Sequence, residues 1–488
     1  MVSMNRTRAL WLLSSIFFIL AFLHPLTEIL IFPAFLFLLR ALTQSTSAIQ
    51  VMRHSLMLGT IKGLGVLLWI WNIYPLSWLT DHSAMLQIAT MTVYWLTAAL
   101  TLALGTTVAI TCVYLCHKHL KKGLYTLPFL WLAGELIGAL LYSVLTLGPG
   151  SSIQMHFSYG FVGYTIANFP LLNSIATFGG VYTLTLLVAT LALLIHVYTK
   201  QEKMVKKITT FNCVTTLVTC VILFTAVHHY TREIPVHNLS VIAVSTNIDK
   251  TFMPGENNHA ARRTVAYEAT TQALTLSPDV IILPEDLRML QGFTSLEEIF
   301  ELLGDTLLID SARTNIEQGV ISRAYIFNPD EQTAYALDKN YLVPHGEYMP
   351  YLHNALLRPF LSSSTALQLA EDLAYTTGKP NKYTNFPDDT PVILSCMESA
   401  WPGALYKRTR DHTPPFVAHT ISHSWFHKPT ILWHQQDRML QAQALWSNTT
   451  IITAPNMAPQ KVYRPSGSIE QGKPIAETTY WALHVVKI

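Results

Sequence analysis

The sequence predicts a polytopic bundle of about seven membrane-spanning helices (residues 1–230) followed by an α/β domain (231–488). Three observations predict it. Half of the 488 residues are hydrophobic and only 13% are charged, against roughly a quarter in soluble domains. The shortage of charge is confined to the first half, where apolar runs follow one another at bilayer-spanning lengths. Beyond residue 230 the composition is ordinary, and short apolar runs alternate with segments of helical spacing.

The apolar runs lie at about 9–24, 26–43, 57–79, 84–115, 125–148, 171–198 and 208–228. Lipid offers no partner to an unpaired backbone group, so each run is expected to be helical. "MNRTRALWLLSSIFFILAFLHP" has the basic start and apolar core of a signal peptide. It lacks a small-residue cleavage site and reads as a retained first span. "HPLTE" splits the first two runs into a hairpin. Arg6 and Arg8, then Arg40 and Arg53, then Lys118, Lys121 and Lys122, then Lys200, Lys203, Lys206 and Lys207 fall on alternate connections. The intervening connections, around Pro25, Asp81 and 148–167, carry no Lys or Arg. The positive-inside rule therefore places the N-terminus in the cytoplasm and the second half across the membrane.

Three polar features stand out among the runs. Glu135, in "WLAGELIGAL", is an ionisable group within a span, costly in lipid and a candidate binding residue. The competing reading pairs it with a neighbouring helix. Lys62 is expected to snorkel to the cytoplasmic surface. "GPGSSIQMHFSYGFVGY", 148–164, is too polar to cross and is expected on, or dipping into, the outer interface.

The second half opens on "LSVIAVST", a buried strand, and "NNHAARRTVAYEATTQALTL", a helix. "DVIILPED" is a strand, and "TSLEEIFELLG" a helix stopped at Gly304. "TLLIDSART", "GVISRAYIFNP" and "QTAYALDKNYLVP" read as strands, and "MPYLHNALLRPF" as a short amphipathic helix. "TPVILSC" and "PFVAHTISHSW" are strands, 434–447 a helix, and "TTIITAPN" a last strand. Such alternation implies sheets packed between helical layers. The closing "YWALHVVKI" is too short to cross a bilayer.

Function is legible at strand ends, where sheets of this kind carry reactive groups. "VIILPE" ends in Glu285, "YALDK" in Lys339 and "PVILSC" in Cys396. A carboxylate can take the thiol proton. An ammonium, with the backbone N–H of Met397, can hold an oxyanion, and the thiolate can form an acyl intermediate. Singly, a strand-terminal Glu or Lys is more often a surface ion-pair member, and a lone Cys a small buried hydrophobe. The other four cysteines sit in apolar runs, so no disulfide framework is implied. A net charge of +2 without blocks of like charge excludes a nucleic-acid footprint. His419, His423 and His427 fall four apart, which would suit a metal on a helix; on a strand they spread out, and no metal or cofactor is expected.

The succession "ILPED", "DKNYLVPHGEYMP" and "ILSCMES" resembles the nitrilase (carbon–nitrogen hydrolase) superfamily. "NYLVPHGEYMPY" is similar to the lysine segment of the apolipoprotein N-acyltransferase family. "GTIKGLGVLLWIW" and "GYTIANFPLLNSIATFGGVYTLTLLVATLALL" resemble its membrane segments. The resemblance implies an α-β-β-α nitrilase-like domain on the outer face of a bacterial inner membrane. It implies Glu285 as general base, Lys339 as stabiliser and Cys396 as nucleophile. Glu347 and Glu398 would support them, and Tyr348 and Pro350 would belong to the loop that follows. Trp401, Trp425 and Phe426 would shield the site, although ordinary packing is the commoner fate of each. The implied reaction takes an acyl chain from a phospholipid to the cysteine and on to the amine of a diacylglyceryl-modified lipoprotein, by a monomeric enzyme. A membrane-tethered amidase and a non-catalytic lipid or lipoprotein binder are the alternatives. Met397 replaces the family's tyrosine, "SHSWFHK" replaces "TNDGWFG", and only Asn247 and Ile248 remain of the segment after the first strand, here "STNIDKTFMPGENN".

Overall fold

The computed structural model describes all residues except 1, 77–78, 80–81, 121, 200–204, 232–236, 250–255, 318, 379–385, 388–389 and 411. Asp81, Lys121, Lys200 and Lys203 of the charge pattern, and most of "DKTFMPG", lie outside the described residues. The first half is helical: α1 (Val2–Leu23), α2 (Ile31–Gln44), α3 (Ala48–Val66), α4 (Ala84–His119), α5 (Leu127–Leu145), α6 (Pro170–Asn173), α7 (Gly180–Thr199) and α8 (Val205–Thr231). Among the described residues six helices are long and apolar enough to cross a membrane. The seventh run is the 27-residue α8, with a shorter apolar stretch at Val218–His229.

Two boundaries differ from the sequence reading. The third helix begins at Ala48, nine residues before the apolar run, because Ser47 caps it by accepting from the Gln50 amide. The sixth run is broken. A 3₁₀ turn, Ser174–Phe178, precedes α7, and Gly180 has φ +56, with Trp446 where a Cβ would stand. Lys62 does not snorkel. It is buried 4.0 Å from Glu135, over the rings of Phe18, Phe22 and Trp131. Small residues allow that closeness: a Cβ on Gly59 would lie 2.7 Å from Ala103 Cα, and one on Gly105 2.1 Å from Gly134 O.

The second half carries β1 (Ser240–Thr246), α9 (Glu256–Leu274), β2 (Val280–Ile282), α10 (Leu296–Leu303), β3 (Leu307–Ile316), β4 (Gly319–Asn328) and β5 (Thr333–Asp338). Then come α11 (Tyr351–Leu357), α12 (Ser363–Asp372), β6 (Val392–Ser395), α13 (Ala404–Thr409), β7 (Val417–Ser422), α14 (Thr430–Ser447) and β8 (Ile451–Asn456). The chain closes with β9 (Lys461–Tyr463), β10 (Ile469–Gln471), β11 (Ala476–Glu477) and β12 (Trp481–Lys487). "YWALHVVKI" is therefore mostly strand, antiparallel to β1 from Ser240↔Lys487 to Thr246↔Trp481.

The strands form two half-sheets. One runs β11-β12-β1-β2-β3-β4-β5 and the other β6-β7-β8-β9-β10. They are joined at one pair, Thr246↔Asn456. Side-chain alternation along β1 shows the layering. Val241 and Ala243 meet Leu394, Val417 and Ile452 of the second half-sheet. Ile242 and Val244 face Ala266 and Ala269 of α9 and Phe300 of α10. Helices α13 and α14 cover the second half-sheet through Leu405, Leu440 and Ala444. Helix α14 also packs Leu432, Met439 and Leu445 into the core of the helical half.

Asn456 ties the seam. Its Oδ1 accepts from Thr246 Oγ1 (3.0 Å) and the Ile248 amide (2.9 Å), and its Nδ2 donates to Ile248 O (2.9 Å) and Ser422 Oγ (3.0 Å). Asn456→Ala would strand the buried amide and carbonyl of Ile248. It is expected to cost about 2–4 kcal/mol, seen as a fall of several degrees in the thermal midpoint of the detergent-solubilised protein.

Candidate active site

Each strand-terminal candidate sits where a strand gives way to a turn. Lys339 follows β5 directly, and its amide still donates to Ser322 O (2.9 Å). The predicted strand through Pro344 stops here, so the chain swings away and the lysine points inward. Its Nζ lies 3.1 Å from Glu285 Oε1 and 2.8 Å from Glu347 Oε1, with the side chain 1% exposed. Glu285 stands three residues past β2, where Leu283 N still bonds Ile309 O. Glu347 is held by its other oxygen, which accepts from the Val343 amide (2.7 Å).

Cys396 follows β6 and begins a 3₁₀ helix, Cys396–Ala400. Its φ of +44 is left-handed, a strained geometry for a residue with a side chain. Two bonds to its carbonyl oxygen hold that turn, from Ser399 Oγ (2.9 Å) and from His419 Nε2 (3.2 Å). The residue is partly exposed, and its thiol lies within electrostatic reach of Glu285, Lys339 and Glu347. The Met397 amide lies in the first turn of the 3₁₀ helix, where no intrahelical acceptor exists.

The charges follow from this packing. Burial and the Glu285 carboxylate push the Cys396 thiol well above its usual range, so sulfur keeps its proton at rest. Burial and Glu347 also raise the Glu285 carboxyl, against Lys339. Burial opposes the charge on Lys339, but Glu285 and Glu347 overcome it and the amine stays protonated. The cluster thus holds one ammonium, two carboxyls and a neutral thiol poised to give its proton to Glu285.

The supporting residues divide. Glu398 is 1% exposed and all its oxygen capacity is used. It accepts from the Asn340 amide (3.0 Å), the Ser395 amide (3.0 Å) and both terminal nitrogens of Arg408 (2.8 and 2.7 Å). It clamps the residue after Lys339 to the residue before Cys396. Burial would raise its carboxyl, but Arg408 and the amides hold it below the usual range. Glu135 is likewise saturated, by Trp131 Nε1 (3.1 Å), the Val162 amide (2.7 Å) and Thr185 Oγ1 (3.0 Å), besides Lys62. The structure places it in the helical half as a tie between α5, α7 and the 148–164 segment. Tyr348 is buried and donates to Thr146 O (2.9 Å) at the end of α5. Pro350 is buried, and its carbonyl accepts from the Asn354 amide, opening α11.

The aromatic candidates link the site to the helices. Trp401 stacks on His156 at 4.0 Å. Phe426 meets Trp69 edge-on at 5.8 Å, Trp69 meets Tyr159 at 5.1 Å, and Tyr159 OH lies 3.8 Å from Met397 Sδ. Trp425 is half-buried in the turn after β7. The 148–164 segment is therefore a wedge between the two halves. Phe157, Tyr159 and Phe161 are buried, and Ser158 Oγ donates to Ala400 O (2.6 Å). Beside it a cleft of about 380 Å³ is lined by Tyr142, Ser151, His156, Tyr341, Leu342 and Tyr348. His419 belongs to β7, His423 Nε2 donates to Gln436 Oε1 (2.9 Å), and His427 is exposed, so the three do not converge. No group of three metal-ligating side chains occurs among the described residues. Sequence reasoning missed His419 as a partner of Cys396 O and Arg408 as the counter-charge of Glu398; neither has a telling spacing. The oddness of 148–164 was the available signal for the wedge.

The sequence matches no family model and no curated protein. Several solved structures are similar to the second half. A mutant of the Nesterenkonia AN1 amidase from the nitrilase superfamily is 11% identical, covering 52% of this chain and 94% of its own, with a TM-score of 0.33. A CN-hydrolase superfamily protein from Xanthomonas campestris is 14% identical, covering 51% and 91%, with a TM-score of 0.33. A Saccharomyces cerevisiae member of branch 10 of the nitrilase superfamily is 13% identical, covering 52% and 92%, with a TM-score of 0.35.

Arg408→Met would leave Glu398 a buried, unpaired carboxylate. It is expected to destabilise the protein by about 3–5 kcal/mol, read from its thermal midpoint. Arg408→Lys, which keeps the charge but not the fork, should lose less.

Proposed function

We propose that the second half is a nitrilase-type catalytic domain that works through a cysteine thioester. What carries this reading is Lys339, held between Glu285 and Glu347, with the Cys396 thiol within electrostatic reach of all three. In particular, we propose an acyltransferase of the apolipoprotein N-acyltransferase type, moving a fatty acyl chain from a phospholipid to the amine of a diacylglyceryl-cysteine. Two observations support lipid substrates. Leu96, Leu100, Leu104 and Val108 form an exposed apolar stripe along α4, as a lipid-facing helix would. A cleft opens between the end of α5 and the 340–348 loop, lined by Asn340, which follows Lys339 in the chain. Insertion in a bacterial inner membrane, with the N-terminus in the cytoplasm and the sheets outside, belongs to the same proposal.

In the acylation step Cys396 gives its proton to Glu285 as sulfur attacks the ester carbonyl. Lys339 and the Met397 amide stabilise the oxyanion. Collapse expels the alkoxide of the lysophospholipid, which takes the proton from Glu285 and leaves a thioester. In the second step the acceptor amine attacks the thioester and yields a proton to Glu285. The amide leaves and the sulfur is reprotonated. One site thereby serves two bulky lipids in turn. Water must be kept from the thioester, and the Trp69, Tyr159 and Phe426 rings are placed to do so.

The test is intact-protein mass spectrometry of the full chain in vesicles of labelled phospholipid, with and without a diacylglyceryl-cysteine peptide. Label is expected on Cys396, chased to the peptide amine, and absent in Cys396→Ala. Label released only as free fatty acid would make the enzyme a hydrolase and overturn the acyltransferase reading. Lys339→Met is expected to slow acylation by about 10²–10³-fold. The general base must be ionised, and its carboxyl is raised. The acylation rate should therefore fall as pH drops through an inflection above the ordinary glutamate value of 4.5.

A further inference from the structure

"ILPEDLRML" places Asp286 and Arg288 immediately after the proposed general base. Both have left-handed backbones, with φ of +62 and +60, so the chain doubles back and gathers charge around one carboxylate. Arg288 forks onto Asp286 through Nε (2.6 Å) and a terminal nitrogen (3.1 Å). Arg313, from β3, reaches the other side of the same carboxylate through Nε at 3.1 Å. Arg262, from the second turn of α9, stands within electrostatic reach of Asp286, Arg288 and Arg313, its Nε donating to Asn258 Oδ1. Among the described residues no other carboxylate lies within ion-pair distance of any of the three guanidiniums. Two guanidiniums thus pair with one carboxylate and a third stands near them, while Arg313 is also within electrostatic reach of Glu285 and Glu347.

Its position is informative. Asp286 follows Glu285 in the chain, and Arg313 lies within electrostatic reach of Glu285 and Glu347. Arg313 is 42% exposed, while Arg288 behind it is buried. The Arg313 guanidinium lies 5.2 Å over the Tyr375 ring. Tyr375 donates its amide to Glu347 O (3.2 Å), and a Cβ on Gly150 would stand 2.8 Å from Tyr375 O. Gly150 belongs to the loop that leaves α5 and lines the cleft there. Arg313 is thus linked through Tyr375 to a loop of that cleft.

We infer that Arg313, backed by Arg288 and Arg262, forms a phosphate subsite that receives the headgroup phosphodiester of the acyl donor. This rests on the acyltransferase reading for the identity of the donor. The chemistry fits: guanidinium forks match phosphate oxygens, and Asp286 fixes Arg288 and Arg313 beforehand. In a glycerophospholipid the phosphate and the ester carbonyls are separated by the glycerol carbons. A phosphate held beside Glu285 therefore brings an ester within reach of Cys396.

The experiment uses the full-length Cys396→Ala protein in detergent micelles, which binds without turnover. Dihexanoyl phosphatidylglycerol, dihexanoylglycerol and inorganic phosphate are titrated as separate probes. The phospholipid is expected to bind about tenfold or more tightly than the phosphate-free diacylglycerol, the size of a single charge-assisted contact. Arg313→Gln should remove that difference without weakening diacylglycerol binding, and Arg313→Lys should restore part of it. The thermal midpoint of each variant checks its fold. Unchanged phospholipid affinity in Arg313→Gln would overturn the subsite. Equal weakening of both lipids would make Arg313 structural and overturn it too. Inorganic phosphate binding as tightly as the phospholipid would reassign the site to free phosphate and overturn the headgroup assignment. Binding is read without acyl transfer. A phosphate preference in Cys396→Ala, together with no label on Cys396 or on the peptide in the wild-type vesicle assay, would support the subsite and fault the acyltransferase reading alone.

Discussion

A buried ammonium is the constraint on which the site depends. Lys339 is nearly inaccessible, and its charge is tolerable only because two carboxylates from distant segments meet it. That requirement brings the end of β2, the end of β5 and the 343–347 loop to one point. It also decides where the proton of Cys396 resides. With two carboxyls close by, a resting thiolate would be a third negative group around one cation. The proton stays on sulfur.

The second constraint is mechanical. The Cys396 turn has a strained backbone, and its surroundings over-determine it. Glu398 and Arg408 lock the turn from behind, Ser399 and His419 hold its carbonyl, and the 148–164 wedge presses from the helical side. Helix α14 ties the halves more broadly, sending one set of side chains into each core. Its Arg438 bonds Glu28 at 2.5 Å, and Gln435 donates to Val66 O (2.8 Å). Both bonds cross between the halves. The helical half thus packs against the Cys396 turn and contributes α5 residues to the cleft at the 340–348 loop.

Much of this was legible in the sequence, for a physical reason. Strands buried on both faces read as short unbroken apolar runs, and the chemical residues at their ends are conspicuous against them. Glu285, Lys339 and Cys396 were visible for that reason, and Glu347 through the resemblance of its segment. What stayed hidden depends on long-range pairing. β9, β10 and β11 have only two or three residues each, too short for a period to show. β12 was masked because its apolar residues were weighed against a bilayer rather than against β1. Lys62 and Glu135 looked like isolated charges in lipid because their mutual contact spans 73 positions. Gly179 and Gly180 were read through as part of one helix, since a glycine's preference for a left-handed turn is decided here by Trp446, far along the chain. The basic cluster around Asp286 was likewise invisible, because Arg262 and Arg313 reach it from separate elements.

The most direct measurement is the pH dependence of Cys396 alkylation by iodoacetamide, read on the Cys396 peptide by mass spectrometry to separate it from the other cysteines. The account predicts slow modification at neutral pH, with an inflection above that of a free cysteine, about 8.5. It also predicts that Lys339→Met moves that inflection higher still, since the one nearby cation is gone. Fast modification at neutral pH, with an inflection below the free value, would mean a preformed thiolate and would contradict the arrangement of charges described for this site.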